Sequence, residues 1–269
     1  MAKIHATALV DKKALLADDV EIGAFSIIGP DVTIGAGCKI GNYVEIKGKV
    51  DIGENNEFYH SCFIGEKPQD LTVTNPKPFI KIGNSNIFRE FSTVHMPSKE
   101  GNATEVGNNN FIMGTVHLGH DVKLENNVIL VQGCVLGGYV HVENYAYIGG
   151  LAAIHQFCRI GAYSIVGGST KVVKDIPPYI MADGSPNTAI GINRIGLQRK
   201  GFSQSETTAI RKAYKILYRK GISVPTALEM LKNDLLISLD SNSIEYQRID
   251  YFINFIQSSE RGIAPHALR

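Results

Sequence analysis

The chain has 269 residues, a formal net charge of +1 and a 20% charged fraction, so nothing in its charge argues for nucleic-acid binding. It contains no run of apolar residues long enough to cross a membrane. The first ten residues lack an apolar core and read straight into the pattern described next, so no secretory signal and a cytoplasmic location are expected.

From Ile4 onward every sixth residue is large and apolar: Val10, Leu16, Ile22, Ile28, Ile34, Ile40, Ile46, Ile52, Phe58, Ile64, then Ile82, Phe88 and Val94, then Val106 through Leu118 and Leu136 to Val172. A fixed period of six predicts a hexapeptide β-helix; an α-helix or an alternating strand has another period. The next residue is often glycine (Gly23, Gly35, Gly41, Gly53, Gly119, Gly137), which suits a corner needing either positive φ or close backbone approach. The residue four after the apolar one is small or β-branched, as a narrow interior requires. Cys38, Cys62, Cys134 and Cys158 all fall in that column and read as small core residues in a reducing compartment. If three hexads close one coil, residues eighteen apart stack at about 4.8 Å. The period alone fixes neither the three sides nor the hand.

Two interruptions, residues 66–81 and 96–105, keep the phase of the repeat. They predict loops ejected from a continuous prism, where function concentrates. Outward apolar positions such as Phe111, Ile129, Val131 and Tyr147 predict association into an oligomer. Pro177-Pro178 ends the prism, and residues 179–201 read as irregular. Three helices follow. Ser203-Gln204-Ser205-Glu206 is a capping box for the first. Pro225 opens the second, over 226–234, and a third runs over 243–259. The expected organisation is a mainly β chain: a parallel β-helix over 1–178, then a linker and helical domain over 179–269.

The chemistry concentrates at His117-Leu118-Gly119-His120-Asp121. An eighteen-residue coil stacks His120, Gly138 and Gln156 in one column, with Tyr139 and His155 beside it. A histidine titrating near neutrality and a free glycine N–H on one edge fit acyl transfer: the imidazole takes the acceptor's proton and the N–H holds the oxyanion. Asp121 is a candidate to orient the imidazole, although adjacent strand residues face opposite ways. The same opposition makes joint zinc binding by His117 and His120 awkward.

The segments His117–Asp121, Ile148-Gly149-Gly150, Ala153–Cys158, Gly191-Ile192-Asn193 and Arg199–Ser203, with Ile64-Gly65-Glu66 ahead of Gln69-Asp70-Leu71, strongly resemble the UDP-N-acetylglucosamine O-acyltransferases, over nearly the whole chain. The resemblance implies a left-handed β-helix, a homotrimer with sites between subunits, and no cofactor. It implies transfer of a 3-hydroxyacyl group from the phosphopantetheine of acyl carrier protein to the sugar 3-position, in lipid A synthesis. His120 would be the general base and Gly138 the oxyanion donor. Gln69, Asp70, His95, His117, Tyr139, His155 and Gln156 match positions near sugar, phosphates or pantetheine; Asn193 and Arg199 match nucleotide contacts; Gly168 matches the position that limits acyl length, where glycine implies a long chain. Arg159, Lys171, Lys174, Lys200, Arg211 and Lys212 are candidates to meet the acidic carrier protein. Thr72, Tyr139 and Ile195 stand where the family usually has lysine, histidine and glutamate. Those departures lie at the acceptor end and raise the 3-amino sugar as an alternative acceptor. Rival readings are the related N-acyltransferase, which carries an extra N-terminal domain although the repeat here begins at Ile4, a zinc β-helix enzyme of the carbonic anhydrase type, and an ice-binding β-helix, which needs a threonine ladder absent here.

Overall fold

The computed structural model describes residues 1–74 and 79–266. The hexads fold into a parallel β-solenoid of three sheets, with eleven, nine and eight strands, most only two residues long. Lys3 stands opposite Glu21, and His117 opposite Val135, so coils stack in register as the period demands. The apolar column points inward: Ile28, Ile34, Ile64, Leu118 and Leu136 are at most 1% exposed. Each such side chain contributes roughly 1.5–3 kcal/mol by leaving water.

The corners resolve what the glycines do. A Cβ on Gly35 would lie 2.6 Å from the Gly53 carbonyl oxygen, and one on Gly23 2.7 Å from that of Gly41. Close approach of stacked corners, not positive φ, therefore excludes side chains there. The left-handed turn falls two residues later, on Phe25, Tyr43, Asn55, Ser61, Asp121 and Tyr139, with φ of 56–60°. This conformation costs a non-glycine residue roughly 1–2 kcal/mol. It is offset by a bond across coils, as where the Tyr43 N–H donates to Ala24 O at 2.9 Å and the Tyr139 N–H to His120 O at 3.0 Å.

All four cysteines are free and fully buried in the small-residue column, and burial pushes the Cys134 thiol up to about 12. The same column holds Asn56, Asn86 and Asn110. Each turns its amide onto a corner carbonyl, Gly83 O, Gly107 O and Glu125 O respectively, at 2.8 Å.

Both ejected loops leave the same edge, between the second and third sheets. Phe63 pairs with Thr93, Thr93 with His117 and His117 with Val135, so the coils stay in phase, with one local shift between Ile64 and Glu66 where the first loop departs. The first loop is fastened by Lys49 and Lys81, whose ammonium groups sit 4.7 and 4.9 Å from the Phe79 ring centre, and by a Lys47–Glu66 ion pair. Its residues 75–78 lie outside the described residues.

The segment expected to be irregular is ordered. Ile180–Asp183 adds to the first sheet beside Ile165–Val166, and Thr188–Ile192 pairs antiparallel with it. The two prolines interrupt the ladder without ending the sheet. A short helix, α1 (Arg194–Arg199), follows. Then come α2 (Gln204–Arg219), with the expected capping box at Ser203 and Glu206, α3 (Val224–Met230), which continues as a π-helical turn, and α4 (Ile244–Gln257). Helix α4 docks on the solenoid through buried Glu143, which accepts from the Tyr251 hydroxyl and pairs with Arg159 at 3.1 Å; the Arg159 guanidinium lies 4.3 Å over Phe255.

Candidate active site

The edge that ejects the loops also carries the stacked column. Immediately after the second loop the corners present His120, then Gly138, then Gln156. The His120 ring lies directly over Gly138: a Cβ at that glycine would come within 2.3 Å of Cε1 and 2.4 Å of Nε2. No positive φ is involved, so the glycine makes room for the imidazole.

His120 and Asp121 meet despite being neighbours in sequence. Both lie in the corner, and the left-handed conformation of Asp121 (φ 59°) brings its carboxylate back to His120 Nδ1 at 2.8 Å. The two side chains are 13% and 3% exposed. Asp121 is held on both oxygens. Oδ2 also accepts from the Ser98 N–H at 2.8 Å, and Oδ1 accepts from the Asn102 amide at 2.7 Å. Burial alone would raise its carboxyl, but these bonds from Ser98, His120 and Asn102 outweigh burial and hold it below the usual carboxylate range. An ionised acceptor fixes the proton on Nδ1 and leaves the Nε2 lone pair free.

The second feature is the Gly138 N–H. At several corners on the other two edges the N–H two residues after the apolar position is taken by a side chain of the next coil: Asn42 accepts from Ala24 at 2.9 Å, Asn84 from Glu54 at 2.7 Å, and Asn126 from Asn108 at 2.8 Å. Above Gly138 stands Gln156, which makes no such bond. Among the described residues nothing accepts from the Gly138 N–H.

Around this centre lie other expected residues. His95 is 5% exposed and packs edge-on against His117 with ring centres 4.6 Å apart. Burial first, and His117 second, push His95 down to about 4, and burial also lowers His117. The His117 Nδ1 lies 2.8 Å from the Thr93 hydroxyl. Gln69 and Asp70 are on the first loop; bonds from the Thr72 N–H and hydroxyl keep the Asp70 carboxyl low, with a smaller pull from His120. His155 and Gln156 are exposed on the following corner. Among the described residues no three His, Cys, Asp or Glu side chains converge to hold a metal ion.

Three expected residues lie elsewhere on the chain. Gly168 occupies the edge between the first and second sheets, exposed and above Gly150. Asn193 caps α1, accepting from the Gly196 N–H at 3.0 Å and donating to Tyr163 O at 2.8 Å. Arg199, at the end of α1, lines a pocket of about 740 Å³ with Tyr145, Tyr147, Ile165, Ile195 and Lys200. One chain therefore does not bring these three to His120. Residue reading missed Ser98 and Asn102 in the loop and Thr104 at the strand that follows it, which together hold Asp121. Their types carry no signal; only the phase-preserving gap pointed at the loop.

Comparison with known proteins agrees along the whole chain. A family model described as UDP-N-acetylglucosamine O-acyltransferase, domain 2, matches residues 175–264, and a bacterial transferase hexapeptide model matches residues 103–138. The acyl-[acyl-carrier-protein]–UDP-N-acetylglucosamine O-acyltransferase of Herminiimonas arsenicoxydans is 44% identical over 264 residues, covering 98% of this chain and 99% of that protein. The chain belongs to the UDP-N-acetylglucosamine O-acyltransferase family. Family members of known structure superpose closely. The Francisella novicida UDP-N-acetylglucosamine acyltransferase has a TM-score of 0.91 at 38% identity, covering 97% of this chain and 94% of that one. The Acinetobacter baumannii protein has a TM-score of 0.90 at 36% identity, covering 97% and 99%.

Thr72 and Tyr139, two of the three residues noted at the acceptor end, are held by local contacts. Thr72 binds Asp70 through its hydroxyl at 2.7 Å. Tyr139 stands edge-on to His120, stacks on Phe157 at 4.9 Å, and bonds the Ser98 hydroxyl at 2.7 Å. Ile195 is 59% exposed and lines the pocket beside α1.

Proposed function

We propose that the protein transfers a 3-hydroxyacyl group from the phosphopantetheine thiol of acyl carrier protein to the 3-position of UDP-N-acetylglucosamine, as a cytoplasmic homotrimer without a metal or organic cofactor. The observation that carries this reading is the His120–Asp121 pair lying over Gly138, whose N–H has no partner among the described residues. His120 Nε2 takes the proton of the sugar 3-hydroxyl as its oxygen adds to the thioester carbon. The carbonyl oxygen becomes an oxyanion and accepts from the Gly138 N–H, a donor already in place. Asp121 remains ionised and stabilises the imidazolium. When the C–S bond breaks, the imidazolium returns the proton to the departing sulfur, leaving an ester and a free thiol.

Substrate binding uses a second copy of the chain. In one protomer Gly168 lies on another edge and Asn193 and Arg199 at the ends of α1, and in this reading a neighbour brings its own copies to the edge that carries His120. The first sheet offers the matching surface: Ile87, Phe111, Ile129, Tyr147, Ile165 and Met181 form one outward apolar ladder. In this reading Arg199 and Asn193 serve the nucleotide, Asp70, Gln69, His95, His117, His155 and Gln156 serve sugar, phosphate or pantetheine, and the acyl chain runs toward Gly168.

The test is incubation with hydroxyacyl carrier proteins of several lengths and either the 3-hydroxyl or the 3-amino sugar nucleotide, with product mass measured. The reading expects acylated sugar nucleotide, and loss of most turnover in a folded His120→Ala variant. Near-normal turnover in that variant removes His120 from the base role, and strict use of the hydroxyl sugar removes the amine acceptor.

A further inference from the structure

Two side chains at this edge have no task in the reaction as written. Ser98 lies in the second loop and Tyr139 in the corner directly after Gly138. Their hydroxyls are 2.7 Å apart. Ser98 faces two ways: its N–H donates to Asp121 Oδ2 at 2.8 Å while its hydroxyl meets Tyr139. The Tyr139 ring is itself clamped, stacked on Phe157 with an interplanar angle of 13° and edge-on to His120 with ring centres 5.3 Å apart. A rigid aromatic lever thus ends in a hydroxyl that fixes the loop residue holding the carboxylate. Thr104 fastens the far end of the same loop, donating to His95 O at 2.8 Å and accepting from the Asp121 N–H at 3.0 Å.

We propose that Tyr139 is a positioning residue, acting through Ser98 to hold Asp121, and hence the His120 imidazole, in place over Gly138. This rests on His120 as the base, and it reassigns Tyr139 from substrate contact to support of the dyad. Removing the hydroxyl leaves the ring stack intact and frees only Ser98. The carboxylate then loses its fixed donor, and the imidazole loses its registration against the oxyanion donor.

The experiment measures kcat and KM for Tyr139→Phe, Ser98→Ala and the double variant, and repeats Tyr139→Phe in an Asp121→Asn background. A net hydrogen bond of this kind corresponds to about a tenfold effect. The expected result is a kcat about tenfold lower in each single variant, with KM for the sugar nucleotide unchanged. The double variant should be no worse than either single one, because both remove the same bond. In the Asp121→Asn background the tyrosine change should have no further effect. A raised KM with normal kcat overturns the proposal, since the hydroxyl then touches substrate. Losses that multiply in the double variant, or no loss at all, overturn it equally. Thermal melting of each variant checks that the solenoid is intact. His120→Ala is measured separately, so failure of the base assignment is read independently of this cycle.

Discussion

Replacing Gly138 with alanine isolates the geometry of the dyad. The backbone there tolerates a side chain, because φ is not in the left-handed region. What does not tolerate it is the imidazole, whose Cε1 and Nε2 lie 2.3 and 2.4 Å from the new methyl position. Ordinary contact between such atoms needs well over 3 Å, so the ring must retreat by roughly an ångström. That retreat stretches the 2.8 Å bond to Asp121 and carries Nε2 away from the acceptor hydroxyl. Misplacing a catalytic group by about 1 Å costs on the order of 100-fold in rate, equivalent to about 2.7 kcal/mol of barrier. The assay is initial-rate kinetics of carrier-protein thiol release, with melting temperature as the control for folding. Because the damage acts through His120, Gly138→Ala should cost little more in a His120→Ala background. A Gly138→Ala enzyme within a few-fold of normal kcat would refute the account, as would full multiplication of the two losses.

Two further outcomes follow from residues described above. His95 titrates near 4 in the folded chain, against an ordinary value of 6.5. Below 6.5 the unfolded chain takes up a proton that the native chain refuses, so stability falls as pH drops from 6.5 toward 4. A His95→Gln variant should lose less denaturant resistance between pH 7 and pH 5 than the unmodified protein does; an equal loss in both contradicts the assignment. Gly168→Met places a flexible side chain on the exposed edge above Gly150. It should shorten the preferred acyl chain by roughly three or four carbons, the space a methionine side chain fills, read by product mass with mixed-length donors. Unchanged length preference places the end of the acyl slot elsewhere.

Much of this molecule could be read without coordinates, for a definite reason. A solenoid repeats one local solution, so each hexad reports the same three facts: an inward apolar residue, a crowded corner and a small interior residue. The phase of Ile64, Ile82, Val94 and Val106 located both loops because an ejected segment must rejoin the stack in register. The stacking of residues 120, 138 and 156 followed from the same rule. What could not be read was anything depending on a single torsion or on loop conformation. The left-handed corner residues are Phe, Tyr, Ser, Thr, Asn, Leu, Asp or Gly by turns, a mixture with no compositional mark. Strand alternation counted against Asp121, yet that residue sits in the turn, where alternation does not apply. Ser98 and Asn102 reach Asp121 through the path of the loop, which no period describes. The hairpin-like pair at 180–192 was hidden because Pro177-Pro178 reads as a stop, while the sheet simply resumes beyond it.

Because each excursion, between Glu66 and Phe79 and between His95 and Thr104, rejoins the stack in phase with the neighbouring coils, its length and composition are free of the scaffold's constraints. Coils below and above keep their spacing whatever the excursion contains. In the function proposed above, hydrocarbon length depends on Gly168, which lies on a different edge from both grafts. Exchanging the grafts between relatives should therefore leave the acyl-length preference where it was.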